Sequence, residues 1–181
     1  MRNALQALHL LCKYCWFAPV PAVGKNDHNG SARHAPNAPR VIELLHAFAK
    51  ARAASVLIGY VRVGFSPDYR ECPPNSPIFS GARKNNIFQL GTWGTEVHPD
   101  LGQQPGDFDI VKHRVSPFYG TTLEPILRAH GIRRIYCSGI STNAVVQATV
   151  REGHDRDLEM VVLEDACCGL SVEEHENAIK G

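Results

Sequence analysis

The run Ile135-Tyr-Cys-Ser-Gly-Ile-Ser-Thr-Asn-Ala-Val-Val-Gln-Ala-Thr-Val-Arg-Glu-Gly153 places three small polar residues, Ser141, Thr142 and Asn143, just after an apolar stretch and a glycine. That order suits a buried strand, a tight turn at Gly139 and a helix capped by Ser141, Thr142 or Asn143. A helix start leaves N–H groups without intrahelical partners, and in open parallel sheets such groups hold anions and oxyanions. A second chemical group is Lys112, in Val-Lys-His-Arg-Val-Ser-Pro-Phe-Tyr-Gly-Thr. At a strand end beside a pocket its ammonium can stabilise a thiolate or a developing oxyanion; the plainer role is a snorkelling ion-pair partner. Cys12-Lys-Tyr-Cys15 has half the spacing of a zinc site, with His9 and His28 nearby, but a closed site needs four grouped ligands. No metal and no cofactor are expected.

Read as Gly139-x-x-Thr142-Asn143-x-Val145-Val146, the turn resembles the signature Gly-x-x-Thr-Asn/Asp-x-Cys-Val of the isochorismatase-like superfamily. These are cysteine hydrolases that include nicotinamidases and N-carbamoylsarcosine amidohydrolases. The resemblance implies that the backbone N–H groups at Thr142, Asn143 and Ala144 form the oxyanion hole, around an unusual cis peptide. It also implies that Val145 stands at the nucleophile position. An isopropyl group cannot attack a carbonyl, so the covalent step is absent at that residue. Lys112, ahead of Ser116-Pro117-Phe118, matches the family's catalytic lysine.

The family's third group is an aspartate just after the first strand, in a pattern like Asp-x-Gln-x-Asp-Phe. Here Leu8-His-Leu-Leu-Cys-Lys-Tyr-Cys-Trp-Phe17 holds no carboxylate, and Asp27, in Ala22-Val-Gly-Lys-Asn-Asp-His28, is the nearest acid. Nicotinamidases bind a metal through an Asp-x-His pair after the second strand, and the matching Tyr60-Val-Arg-Val63 offers no metal ligand. Cys137 reads as a small buried hydrophobe, as do Cys167 and Cys168, although one of the latter two can face the pocket. Trp93 and Phe118, with Arg62, are candidates to line the pocket or to pack in the core.

These residues need elements to position them. Val41, Leu44, Leu45, Phe48 and Ala49 fall on one helical face, started by Asn37 or Pro39. Ser55 to Val63 is β-branched and nearly continuous in apolar character, as in a strand buried on both faces. Residues 64 to 105 lose periodicity and carry six prolines, Pro67, Pro73, Pro74, Pro77, Pro99 and Pro105, which marks a long excursion over the surface. Phe108 to His113 reads as a strand, and Thr122 caps a helix with Leu123, Ile126 and Leu127 inward that stops at Gly131. Arg134 to Ser138 is a strand, Asn143 to Glu152 a helix and Leu158 to Glu164 a further strand. Ser171-Val-Glu-Glu174 has capping-box spacing and opens a last helix.

Strand and helix alternate, which predicts an α/β fold: a three-layer α/β/α sandwich with a central parallel sheet, Rossmann-like. The resemblance to the isochorismatase-like family implies the same fold. We expect one domain over residues 1–181, with an atypical segment at 1–21 and an end inside the last helix, where relatives continue. Lys112 and the Gly139 turn both reach the carboxyl ends of strands, where such sheets bind ligands.

Of the 181 residues, 44% are hydrophobic and 20% charged, enough for a sizeable core. Nineteen basic and 18 acidic residues leave a net charge of +1, which gives no case for nucleic acid. No run approaches the roughly 20 apolar residues of a membrane span. Gln6, His9 and Lys13 interrupt the apolar amino-terminal run, which argues against a signal peptide. Six cysteines in a chain this long suit a reducing cytoplasm better than a disulfide scaffold.

Three functions follow. The first is a hydrolase acting on a C–N amide or related bond of a small molecule, and the resemblance adds a homo-oligomer. Its chemistry is cysteine-independent or impaired. The second is a non-catalytic small-molecule-binding or scaffold protein on the same fold. The third is a zinc module built on Cys12 and Cys15.

Overall fold

A computed structural model describes residues 7–13 and 41–181, with side-chain surroundings described at 7–10 and 46–181. Five strands form one sheet: β1 (Ala7–Lys13), β2 (Leu57–Val63), β3 (Phe108–Lys112), β4 (Arg134–Ile140) and β5 (Glu159–Cys168). Their order is β3-β2-β1-β4-β5, and every pairing is parallel. The fold is the expected α/β sandwich with a parallel central sheet. From β1 the chain winds outward through β2 to β3, then returns to the other side of β1 for β4 and β5. The direction of winding therefore reverses between β1 and β4, and the crevice outside their carboxyl ends is where such sheets take ligands.

Helices cover both faces. α1 (Val41–Ala53) lays Phe48 on Ile58 and Tyr60 of β2. On the opposite face α3 (Leu123–Ala129) and α4 (Gln147–His154) cover the larger core, which joins Leu8, Leu10, Val61, Ile110 and Ile135 to Leu123, Leu127 and Val145. The central strands are apolar toward both layers, which is why β1, β2 and β4 lack strict alternation.

The segment between β2 and β3 holds a short helix, α2 (Ala82–Asn85), and two 3-10 turns, Trp93–Thr95 and Pro99–Leu101. It has its own apolar cluster, in which Phe65, Tyr69, Phe79 and Phe88 pack together with Val63 and Ala82. Phe65 N donates to Phe88 O at 2.7 Å, and Leu90 N donates to Phe65 O at 2.9 Å. These contacts tie the excursion back to the end of β2.

Several elements differ from the sequence reading: β4 runs on to Ile140, α4 spans Gln147–His154 and not Asn143 to Glu152, and β5 and α3 differ as follows. β5 runs past Glu164 to include Cys167 and Cys168, with a register shift against β4 between Cys137 and Gly139. As the last strand in the sheet order it exposes Glu164 and Asp165 to solvent, charges that an edge strand tolerates. The cap of α3 is also displaced: Thr122 makes no capping bond, and Thr121 Oγ1 accepts from Leu123 N at 3.0 Å instead. α5 (Val172–Lys180) begins at Ser171 as expected, with Ser171 Oγ accepting from Glu174 N at 3.1 Å. Glu174 returns its carboxylate to Leu170 N at 3.1 Å, one residue before the cap.

Candidate functional site

β4 carries the chain to Ile140, and the Ile140–Ser141 peptide is cis. Ser141 is still extended, and helical geometry starts at Thr142 as one wide turn, Thr142–Val146, that runs into α4. The Ser141 carbonyl accepts from both Val145 N at 2.9 Å and Val146 N at 3.1 Å, the second being the five-residue spacing of a π-turn. Ser141 makes no side-chain cap bond. Thr142 and Asn143 direct their side chains to α5 instead: Thr142 Oγ1 lies 2.8 Å from His175 Nδ1, and Asn143 Nδ2 donates to Glu174 Oε1 at 3.4 Å. The simple helix cap read from the sequence is thus replaced by a turn braced from outside.

Val145 is fully buried in the larger core, in the same cluster as Leu10, Phe118 and Cys137. Its carbonyl accepts from Thr149 Oγ1 at 2.7 Å. Ala144, beside it, is half-buried.

Lys112 ends β3 and is 0% exposed. Ile110 and Lys112 are two apart on one strand and so share a sheet face; Ile110 belongs to the cluster that contains Val145. Lys112 therefore approaches the layer of the Thr142 turn from the same face. Lys112 Nζ donates to the Val115 carbonyl, which folds the following loop over it. In register, Lys112 stands beside Val63 of β2, and Lys13 of β1 stands beside Arg62. Two strands thus separate β3 from β4, a backbone gap of about 14 Å at sheet spacing. A substrate bridging the two would lie across the end of β1. Asp27, Cys15, His28 and the side chain of Cys12 lie outside the described residues, as does the stretch Ala22 to His28.

The remaining candidates are scattered. Trp93 is 48% exposed and meets His98 edge-on at 6.4 Å. Phe118 packs in the larger core, with the Arg156 guanidinium 4.7 Å from its ring centre. Arg62 is taken up by structure: it grips Asp109 through Nε at 2.7 Å and Nη2 at 2.6 Å, and donates from Nη1 to Thr95 O at 3.0 Å. Cys137 and Cys167 are buried in the larger core. Cys168 is buried as well, and burial pushes its thiol up to about 11, so it carries little thiolate near neutrality. Among the described residues no group of three His, Cys, Asp or Glu side chains is placed to hold a metal. His9, a candidate neighbour of a zinc site, is buried with its Nε2 3.1 Å from Ser138 Oγ.

His175 was not singled out in the sequence, and Glu174 only as the acid of the capping box, yet both touch the turn directly. The available signal was the capping box at Ser171, which orients the first turn of α5 and with it the next residue, His175.

An α/β protein wound in two directions, with a buried lysine and a braced strand-to-helix turn at the carboxyl ends of its strands, is the class that these features define. Residues 21–181 match the Isochorismatase domain model, and the chain belongs to that family. It is 36% identical over 140 residues to the ureidoacrylate amidohydrolase RutB of Methylorubrum extorquens, covering 71% of this chain and 56% of that protein. It is 38% identical over 135 residues to the uncharacterized isochorismatase family protein YecD of Escherichia coli O157:H7, covering 72% of this chain and 68% of the relative. The chain thus spans little more than half the length of the RutB relative. Among solved structures, N-carbamoylsarcosine amidase from Thermoplasma acidophilum superposes with a TM-score of 0.68 at 23% identity, covering 90% of this chain and 84% of that one. That likeness concerns the fold.

Proposed function

We propose that this chain is a hydrolase of a small molecule, cleaving a C–N amide bond of the ureido or carbamoyl type without a thiol nucleophile. The observation that carries this reading is Lys112: a fully buried lysine at the end of β3, on the same sheet face as the cluster holding Val145. The ammonium donates to the Val115 carbonyl, and a buried, held ammonium at a strand end can act on negative charge that develops beside it. In this reading Lys112 stabilises the oxyanion that forms as water adds to the carbonyl carbon, and the backbone N–H groups of Thr142, Asn143 and Ala144 receive the carbonyl oxygen. The C–N bond then breaks, and the nitrogen leaves with a proton from the water. The activities named for relatives, on ureidoacrylate and N-carbamoylsarcosine, support this substrate class. Trp93 and Phe118 remain candidates for substrate contact in this reading, Phe118 on the ground that it shares the core cluster of Val145.

A second reading is favoured by Val145, which leaves the position of the family nucleophile without a thiol. In it the chain binds a small amide or carboxylate without turning it over. Both readings place the protein in the cytoplasm as a homo-oligomer, on its cysteine usage and its family; sizing chromatography with light scattering tests the assembly.

Purified protein is assayed for ammonia or amine release from ureidoacrylate, N-carbamoylsarcosine and nicotinamide, alongside Lys112→Met, which keeps the length of the side chain and removes its charge. Turnover by wild type that is lost in Lys112→Met supports the hydrolase. Turnover unaffected by the substitution refutes the role of Lys112. A ligand-induced rise in melting temperature with no turnover supports the binding protein.

A further inference from the structure

Three side chains of the turn and of α4 bind α5, and the most buried contact among them is polar. Thr142, 1% exposed, places its Oγ1 2.8 Å from Nδ1 of His175, itself 7% exposed. Asn143 Nδ2 donates to Glu174 Oε1 at 3.4 Å, and Gln147 Nε2 donates to the Ala178 carbonyl at 2.8 Å. The approach is close throughout. A Cβ on Gly169 would sit 3.0 Å from His175 N and 3.1 Å from Ser171 O, so the chain leading into α5 presses on the backbone that carries the imidazole.

An apolar pair would fill the same space without desolvating a hydroxyl and an imidazole. What the polar pair adds is direction: a hydrogen bond in a dry setting favours one orientation of the two groups, where apolar contact tolerates several. We propose that His175 is a positioning residue that, through Thr142, fixes the backbone of Thr142, Asn143 and Ala144 in the geometry that receives the substrate carbonyl. The inference rests on the hydrolase reading above for what the turn receives.

A hydroxyl, an imidazole and the Glu164 carboxylate, 4.0 Å from His175 Nε2, also have the composition of a nucleophile relay. Orientation argues against that use: the Thr142 hydroxyl is turned toward α5 and held by His175, so in this reading it braces the turn while the backbone of Thr142 faces the substrate.

The test uses the full chain and four variants: His175→Ala, His175→Asn, Thr142→Val and the double variant Thr142→Val/His175→Ala. Thr142→Val keeps the shape of the side chain and deletes the hydroxyl, so it serves if His175→Ala does not fold. Amide hydrogen exchange across residues 139–150 is followed by mass spectrometry, with α1 and α3 as internal references for global stability. Loss of one buried hydrogen bond is expected to speed exchange in that segment about tenfold in either single variant, and no further in the double. His175→Asn retains slow exchange, because its amide offers a donor and an acceptor near the place of Nδ1. On a carbamoyl substrate, kcat falls with exchange while KM stays within about twofold, the pattern of a transition-state contact. Wild-type exchange in Thr142→Val, single effects that multiply in the double, no rescue by His175→Asn, or a change in KM alone overturns the proposal. If wild type hydrolyses no substrate, the hydrolase reading fails, and exchange still decides the role of His175.

Discussion

His9 sets a pH limit on the stability of this fold. It lies in the central strand β1, is 2% exposed, meets the Phe48 ring at a 60° tilt with centres 4.9 Å apart and shares a hydrogen bond with Ser138 Oγ at 3.1 Å. A charged imidazole there would lose its water, so burial lowers its pKa from 6.5 to about 4. The folded pKa is below the unfolded one; the unfolded chain therefore binds the proton first as pH falls. Stability from this group is complete above pH 6.5, declines through the interval down to about 4 and falls no further below it. The gap of 2.5 units, from 6.5 to about 4, corresponds to about 3 kcal/mol, of which about 2 kcal/mol is gone by pH 5.

The assay is urea unfolding followed by circular dichroism at pH 7.5 and pH 5, for wild type and His9→Gln. The glutamine amide can reach Ser138 but does not titrate. At about 2 kcal/mol per M of urea, the wild-type midpoint should fall by about 1 M between these pH values. The fall should be much smaller in His9→Gln. Working at pH 5 keeps the measurement above the carboxylates: Asp68, held down by the hydrogen bond from Arg70, and Glu71, held down by that from Ser66, lose their contribution only at lower pH. A wild-type slope that survives in His9→Gln, or a wild-type midpoint that does not move, refutes the assignment of this interval to His9.

Other outcomes follow from local geometry. Gly64→Ala places a Cβ 2.2 Å from Leu90 Cδ2, so Leu90 must move against the excursion's anchor at the end of β2, and denaturation should show a loss of about 1–3 kcal/mol. Thr121→Val removes the acceptor for Leu123 N and should cost about 1 kcal/mol in the same assay, whereas Thr122→Val should cost little, since Thr122 caps nothing. With native protein at pH 8, mass spectrometry after brief iodoacetamide treatment should find Cys72, which is half-buried, alkylated well before Cys137, Cys167 and Cys168.

The fold was legible because its signals are local. The β-branched runs of β2 and β3 and the capping box of α5 each lie within a few residues and need no partner to be read. The end of β5 was not legible: Glu164 and Asp165 interrupt the apolar run, and only the edge position of the strand explains why two charges can continue it. The shift of the α3 cap by one residue has a similar cause, since the Thr121 hydroxyl is also drawn to the Pro117 carbonyl of the preceding loop. At the site, Lys112 and the Thr142 turn were legible as strand-end groups. The Thr142–His175 and His9–Ser138 pairs were not, because each joins residues far apart in the chain, 33 and 129 positions respectively, and nothing near either residue names its partner.

The turn is held from two sides that do not depend on a thiol. From the core, Val145 is packed among apolar side chains, and its carbonyl is bound by Thr149. From the surface layer, Thr142, Asn143 and Gln147 are bound by α5. The side chain at position 145 supplies only the apolar anchor, and a valine fills that role as well as a small thiol would. In the hydrolase reading proposed above, carbonyl recognition by the backbone of Thr142 to Ala144 is therefore separable from covalent attack, which in that reading belongs to one side chain. In that reading a valine at position 145 leaves in place each of the hydrogen bonds that brace the turn, from Thr149 on one side and from α5 on the other.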